Sequence, residues 1–600
     1  MNMKHKTKDL KLIPIIFSIG YIPLIVHYYM YNTGLAEFDW FPANSDAQVD
    51  FFLAWKAAAI VITGIIMTLI ILYQRSKKRI VFKFENIFYL LLGYSLLVAM
   101  SALFSPYKHW VIFGIFELIE PVWVIFAYLI FCYYTYHVVR TEKQLNSIIC
   151  FSMIGVVIAL LIGFFQAFGA DFLQSYLGGM LMLNPGDWNH IKDIGFPFAG
   201  YVYMTLYNPD YIIFYVGIFL PIFIALAINA KKIVMKLFFI ILCIASIICL
   251  IGSKALTGWI SLFLAFMIAL FVQLSRNRRK FAIGVVILLA AGIFSSILLC
   301  TSDSLHEFRD VILGTYKGCD AYGIKSIETD SDVCINYNGV KTHFSYDADS
   351  EQGSMSLYCM DDSGNQISQT INSDGTPVYT DSKRAEYEVE AIYIDKDLGI
   401  RISIENHQWV FAKLSDGTYY YFNAAGKFVK FPKDSTIELF NEDAVSGRGH
   451  IWNKTLPVLA KHILIGSGAN TYLLEISQED YLFKNYTDTN NNFDVKAHNW
   501  FLQQWVENGL AASLLLIVFF IWYAVSSIRI YRKVSFKKDI HRIGFAIFVG
   551  LFVYEISALA NDPTVNVAPI YWCMIGLGLS VNRMITESES LSEHNQSSVE

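Results

Sequence analysis

Apolar runs about as long as a bilayer is thick recur along this chain, and they limit its fold more than any other feature. A helix rises 1.5 Å per residue, so roughly 20 apolar residues cross the hydrocarbon core. Twelve such runs can be drawn, at about 10–30, 51–73, 84–105, 117–138, 146–168, 211–229, 233–252, 256–274, 281–300, 509–528, 543–560 and 565–583. Hydrophobic residues make up 55% of the 600 and charged residues 16%, with a mean hydropathy of +0.43, which argues against a string of soluble domains. Backbone polar groups in lipid must be satisfied internally. The runs therefore predict an all-α polytopic membrane protein of about twelve transmembrane helices.

Lys and Arg in short loops set the orientation. The N-terminus carries Lys4, Lys6, Lys8 and Lys11. Alternate loops then carry Arg75 to Lys83, Arg140 and Lys143, Lys231 to Lys236, Arg276 to Lys280, and Arg529 to Arg542. The intervening short loops hold only Lys108, Lys192 and Lys254. Threading twelve helices in order puts every basic loop on one side. Both termini are then cytoplasmic, and residues 301–508 lie outside a cytoplasmic membrane. The first run is too long for a removable signal peptide and lacks a small-residue cleavage site. The net charge of −5 adds nothing, because the two sides differ so strongly. The Ser/Glu-rich segment 586–600 reads as a disordered tail.

Residues 1–309 thus read as helices 1–9, and 509–585 as helices 10–12. Between them, 310–435 reads as an inserted β domain. Tyr387-Val389-Ala391 and Ile400-Ile402-Ile404 alternate with the period of half-buried strands. Asp374-Gly375 and Asp416-Gly417 signal tight turns, and Trp409 to Phe422 reads as one hairpin, with a further turn at Ala425-Gly426-Lys427. Its aromatics either form a core or, if exposed, stack on sugars. Cys319, Cys334 and Cys359 lie in this outer part; a Cys319–Cys334 bridge would leave one thiol over. No Cys/His spacing suggests zinc, and no metal or other cofactor is expected.

Residues 436–508 read as an outer loop that carries chemistry. Trp452, Leu456, Leu459 and Ile463 recur at helical spacing, predicting an amphipathic helix on the outer leaflet, bent or restarted at Pro457 and ended by Gly466-Ser467-Gly468. If 498–508 is helical, Asn499, Gln503 and Glu507 share one face, and His498 sits at its positive end, which favours neutral imidazole. A neutral imidazole is a general base. Arg448 could grip a phosphate through two parallel hydrogen bonds. Lys254, in a very short outer loop, is a second cation for a leaving group. Each has a structural alternative: an interfacial anchor for His498, snorkelling for Lys254, and a helix cap for Asn208 in Asn208-Pro209-Asp210. Glu117 and Glu120 lie in the otherwise apolar helix 4, where carboxylates suggest function, unless they sit at its outer, solvated end beside His109 and Trp110.

Taken together, Ser446-Gly447-Arg448 with Ile451-Trp452, Gly466-Ser467-Gly468, and Ala497-His498-Asn499 with Gln503 and Glu507-Asn508-Gly509 resemble the outer loop of the O-antigen ligase and O-antigen polymerase superfamily. The turn Leu206 to Tyr211, Gly252-Ser253-Lys254, and Asn561-Asp562-Pro563 through Trp572 to Gly578 are similar to further parts of that family. The resemblance covers most of the chain except the β insertion. It implies a metal-independent glycosyltransferase that moves a glycan from undecaprenyl diphosphate to a hydroxyl of a polysaccharide, lipid or cell-wall acceptor. This would occur on the outer face of a bacterial cytoplasmic membrane, among membrane lipids and without a nucleic-acid partner. By the same resemblance His498 activates the acceptor and Arg448 binds diphosphate, with Lys254, Asn499, Gln503, Glu507, Asn208, Gly447, Gly466 and Gly468 lining the site. Two residues depart from the pattern: Lys254 stands where arginine is usual, and Asp210 where the turn has a second asparagine. Other classes stay open, namely a transporter or flippase of lipid-linked glycans, and a sensor reading ligands with its β domain. The chain shows no matching halves of the kind transporters often carry.

Overall fold

The computed structural model describes residues 10–275 and 323–597, apart from 79, 81, 83, 350–353, 372–376, 380, 382, 385, 395–396, 433–438 and 440–443. The run 281–300, the Asp374-Gly375 turn and Cys319 lie outside the described residues.

The helices that build the membrane body are α1 (Ile13–Gly20), α2 (Ala54–Ser76), α3 (Asn86–Phe104), α4 (Val122–Val138), α5 (Glu142–Ala167), α6 (Ile212–Asn229), α7 (Ile233–Ser253) and α8 (Leu256–Leu274). After the β-rich segment come α9 (Ala444–Leu459), α10 (Trp500–Asn508), α11 (Leu510–Tyr531), α12 (Asp539–Ser557) and α13 (Ala568–Ser597). Among the described residues eight helices are long and apolar enough to cross a membrane: α2, α3, α5, α6, α7, α8, α11 and α12. Their outer faces expose residues such as Ile62, Ile65, Leu69, Leu96 and Leu161, a pattern suited to lipid.

Of the twelve runs expected from the sequence, 281–300 lies outside the described residues, and three others differ from the expectation for local reasons. The first run is helical only to Gly20; Pro23 restricts the residue before it, and Tyr29–Asn32 instead pairs as a strand with Ala47–Asp50. The run at 117–138 becomes helical only after Pro121, because Glu117 and Ile119 have positive φ. Glu117 and Glu120 thus precede α4. The last run overshoots: α13 continues to Ser597, so residues 586–597 are helical rather than a disordered tail, with neither Gly nor Pro after Gly578 to stop them.

Close helix contacts use glycine, as expected where lipid removes any net hydrophobic drive between helices. A Cβ at Gly550 of α12 would lie 2.8 Å from Ile218 Cα of α6, and one at Gly576 of α13 would lie 2.4 Å from the Cys132 carbonyl oxygen of α4. The two backbones of each pair therefore touch. The most buried helix segment is Ile570 to Val581, enclosed by α1, α4, α11 and α12.

The β-rich segment forms two antiparallel meanders, Ile324–Asp361 in four strands and Glu388–Val429 in five, with a small hairpin between them. Phe411 pairs with Tyr421 across the hairpin turned by Asp416-Gly417. Trp409, Phe411, Tyr419 and Tyr421 are buried, so they form a core rather than a sugar platform. Each such side chain contributes about 1.5–3 kcal/mol on burial. Cys334 and Cys359 are buried free thiols. The domain is tied to the rest: Lys427 Nζ donates to the carbonyls of Ala36 (2.9 Å) and Phe38 (2.7 Å), and Tyr481 enters its core.

Candidate functional site

The connections 105–121, 168–211, 254–255 and 558–567 join successive helices at one end of the bundle, and α9 and α10 lie over that end. Arg448 is the hub. It sits on α9, whose buried side chains Arg448, His450, Asn453, Lys454 and Thr455 show a helix enclosed by protein rather than one lying on a leaflet. Pro457 falls within this helix without ending it. Of the expected apolar stripe Trp452, Leu456, Leu459 and Ile463, only Leu459 is buried and Ile463 is exposed, whereas these polar residues of the same helix are buried.

Arg448 Nη2 donates to Asp210 Oδ2 at 3.1 Å and to Asn561 Oδ1 at 2.7 Å. Those acceptors come from two loops, one before α6 and one after α12. The same two loops are joined again below the site. Lys56, fully buried near the start of α2, donates Nζ to Thr205 O (2.5 Å) and to Asn566 Oδ1 (2.6 Å). Asn561 Nδ2 also donates to Thr257 Oγ1 of α8 at 3.2 Å. An ionisable residue in a spanning helix is costly and rare; here the Lys56 amine bridges the gap between the loops.

His498 approaches from the segment before α10. It has φ +47°, so it precedes the helix instead of starting it. Asn499 is the N-cap: its Oδ1 accepts from the N–H groups of Phe501 and Leu502, both at 3.1 Å, and its Nδ2 donates to Leu559 O at 3.0 Å. Burial above all, then Arg448 and Lys496, lower His498 from 6.5 to about 3. The neutral imidazole thus owes its state to burial and two cations, not to the helix end.

Lys496 and Asp562 complete the cluster. Lys496 Nζ donates to Tyr211 OH at 2.6 Å. Asp562 is 3% exposed, and both carboxylate oxygens lack a hydrogen-bond partner among the described residues. Burial raises it to about 7, opposed by Lys496, Arg448 and the backbone N–H groups of His498 and Asn499, which face it at a geometry looser than an ordinary hydrogen bond. Glu120, which accepts from Tyr128 OH at 2.6 Å, is raised to about 8 by burial, and Lys496 opposes that rise. Two cations, a neutral imidazole and buried acids raised toward neutrality are groups that can hold an anion and exchange a proton.

The remaining sequence candidates support the site from behind. Gln503 Nε2 donates to Glu507 Oε1 at 3.1 Å, and both are buried. Gly466 lies against α10: a Cβ there would sit 2.1 Å from the Glu507 carbonyl carbon, and Gly468 N–H donates to Glu507 O at 2.8 Å. Gly447 has φ +81° with open space around it. Asn208 is a cap, accepting from the Asp210 N–H at 2.8 Å. Lys254 is exposed, with Nζ 4.5 Å from the centre of the Tyr201 ring, and no contact joins it to Arg448 or His498 among the described residues. Lys496 was missed in the sequence. The only signal was a single basic residue two positions before His498. Asp562 stood in the Asn-Asp-Pro loop but had no assigned role. Compared with models of protein families, with curated proteins and with solved structures, the chain matches none.

Proposed function

We propose that this protein is a membrane glycosyltransferase of the ligase or polymerase kind, moving a glycan from an undecaprenyl-diphosphate donor to an acceptor hydroxyl at the outer face of a bacterial cytoplasmic membrane. The observation that carries the reading is the meeting of Arg448, Asp210 and Asn561 with Lys496, His498 and Asp562, from segments far apart in sequence, at one end of a bundle of apolar helices. Arg448 and Lys496 take the diphosphate, in place of a metal ion. His498 takes the proton of the acceptor hydroxyl. The oxygen attacks the anomeric carbon, the bond from that carbon to the diphosphate oxygen breaks, and undecaprenyl diphosphate leaves against the two cations. A single displacement inverts the anomeric configuration. Burial is the larger cause of the low basicity of His498, and Arg448 and Lys496 are the smaller; a diphosphate held by the two cations offsets their part and makes the imidazole a stronger base.

Twelve spans, cytoplasmic termini and an extracytoplasmic 301–508 are part of the same proposal. The basic residues Arg75, Arg140, Lys231, Arg529 and Lys533 support it, because they stand at the helix ends opposite Arg448. The test is surface-polysaccharide formation in host cells lacking the gene, complemented at equal membrane level with wild type, His498→Ala or Arg448→Ala. The proposal expects wild type to restore polymer and both variants to accumulate lipid-linked precursor. Full complementation by both variants would remove it in favour of transport or sensing.

A further inference from the structure

At the far end of the bundle two guanidinium groups flank one aromatic ring. Arg583, on α13, donates Nη2 to the carbonyls of Tyr136 (3.1 Å) and Val139 (2.8 Å), closing the C-terminal end of α4. Its guanidinium carbon lies 4.3 Å from the centre of the Tyr136 ring. Arg140, in the connection from α4 to α5, donates Nε to His137 O at 2.9 Å and lies 5.9 Å from the same ring. The carbonyls of a helix end carry only about half an elementary charge. They cannot neutralise two guanidinium groups. Among the described residues no carboxylate is within ion-pair distance of either arginine; Glu85 and Glu587 act on Arg140 only from farther away. Burial first, and then Arg583, lower Arg140. Nε and Nη1 of Arg583 are buried and have no hydrogen-bond partner among the described residues. Buried donors left so are costly.

The geometry points to an anion site: we propose that the phosphodiester headgroup of an anionic membrane phospholipid seats between Arg140 and Arg583. A guanidinium fork matches two phosphate oxygens at once. The site stands where α4 ends and α5 begins, against the middle of α13, beside the basic helix ends at which headgroups lie. Phe84 and Tyr89, exposed by 43% and 59%, give an apolar wall beside Tyr133 for acyl chains. The phosphate charge compensates the arginine pair and locks α13 to α4. This inference does not depend on the chemistry at the opposite end.

The test uses the full chain in nanodiscs of phosphatidylcholine alone or with phosphatidylglycerol, comparing wild type, Arg140→Gln and Arg140→Gln/Arg583→Gln by thermal unfolding and by phospholipid retained on purification. Phosphatidylglycerol is expected to raise the wild-type midpoint. Its retention should fall about fivefold for each guanidinium removed, while midpoints in phosphatidylcholine change little for Arg140→Gln. If loss of the Arg583 contacts unfolds the double variant, Arg140→Gln, which leaves the α4 cap in place, carries the test alone. Inorganic phosphate added to detergent-solubilised protein should not reproduce the shift. An equal phosphatidylglycerol effect in wild type and Arg140→Gln would overturn the proposal. So would a full shift from inorganic phosphate.

Discussion

Replacing Glu507 by Gln should make the protein's stability less dependent on pH, by an amount the structure sets. Glu507 is 3% exposed on α10. Burial raises its pKa from 4.5 to about 8; Gln503 and the backbone N–H groups of Asn470 and Tyr472 oppose that rise, and Glu120 adds to it. The folded chain therefore holds this proton more tightly than the unfolded chain does. The stability that the group contributes is fully present below pH 4.5 and is lost as pH rises through about 8. The loss runs at about 1.4 kcal/mol per pH unit, so it is on the order of 3 kcal/mol between roughly pH 5.5 and 8. In Glu507→Gln the amide oxygen still accepts from Gln503, and there is no proton to lose. Thermal unfolding of full-length protein in one detergent, at several pH values across that window, reads the difference. The variant should gain on wild type as pH rises and stop gaining above about pH 8. Parallel wild-type and variant curves would refute the reasoning, because Glu507 would then titrate as it does in water.

Three further changes test the framework. Gly466→Ala puts a methyl 2.1 Å from the Glu507 backbone; it should cost at least about 1–3 kcal/mol, visible as a lower melting temperature, and an unchanged melt would contradict the packing. Lys56→Met leaves the Thr205 carbonyl and the Asn566 amide oxygen without their donor. At about 1–3 kcal/mol for each stranded group it should lower stability and also weaken donor binding, since the loops it joins hold Arg448; a stability loss with donor affinity intact would confine Lys56 to packing. Arg448→Lys offers a point charge where Asp210 and Asn561 now share one guanidinium nitrogen. Donor affinity should fall about tenfold, on the order of one charge-assisted hydrogen bond, and titration with lipid diphosphate would measure it.

Much of the helical body was legible because hydrophobic length is a one-dimensional property. Runs such as 51–73 and 233–252 needed no knowledge of partners, and they appear as α2 and α7. The first and fourth runs misled because Pro23, Pro121 and the positive φ of Glu117 and Ile119 act on backbone conformation, which hydropathy does not register. The hairpin Trp409 to Phe422 was legible from its turn, Asp416-Gly417, and from alternation on both sides. The site was legible only as separate pieces. Arg448 meets Asp210 across 238 residues and Asn561 across 113, and no local pattern encodes such a meeting. Lys496 carries no periodicity at all, yet it bears on His498, Glu120 and Asp562 together. Asn499, Asn208, Gly466 and Gly468 are motif residues in the sequence, but here Asn499 caps a helix, Asn208 caps a turn, Gly466 lets two backbones touch and Gly468 leaves room for Val111 and Ser105.

The most direct test of the transferase reading is release of undecaprenyl diphosphate by purified protein in vesicles, using lipid-linked glycan and acceptor extracted from cells that lack the gene. Wild type should release one undecaprenyl diphosphate for each glycosidic bond formed, and His498→Gln, which keeps the size and polarity of the side chain but not its basicity, should release almost none. Release by His498→Gln at the wild-type rate would contradict the account, because the base assigned to the centre of the site would then take no part in the reaction.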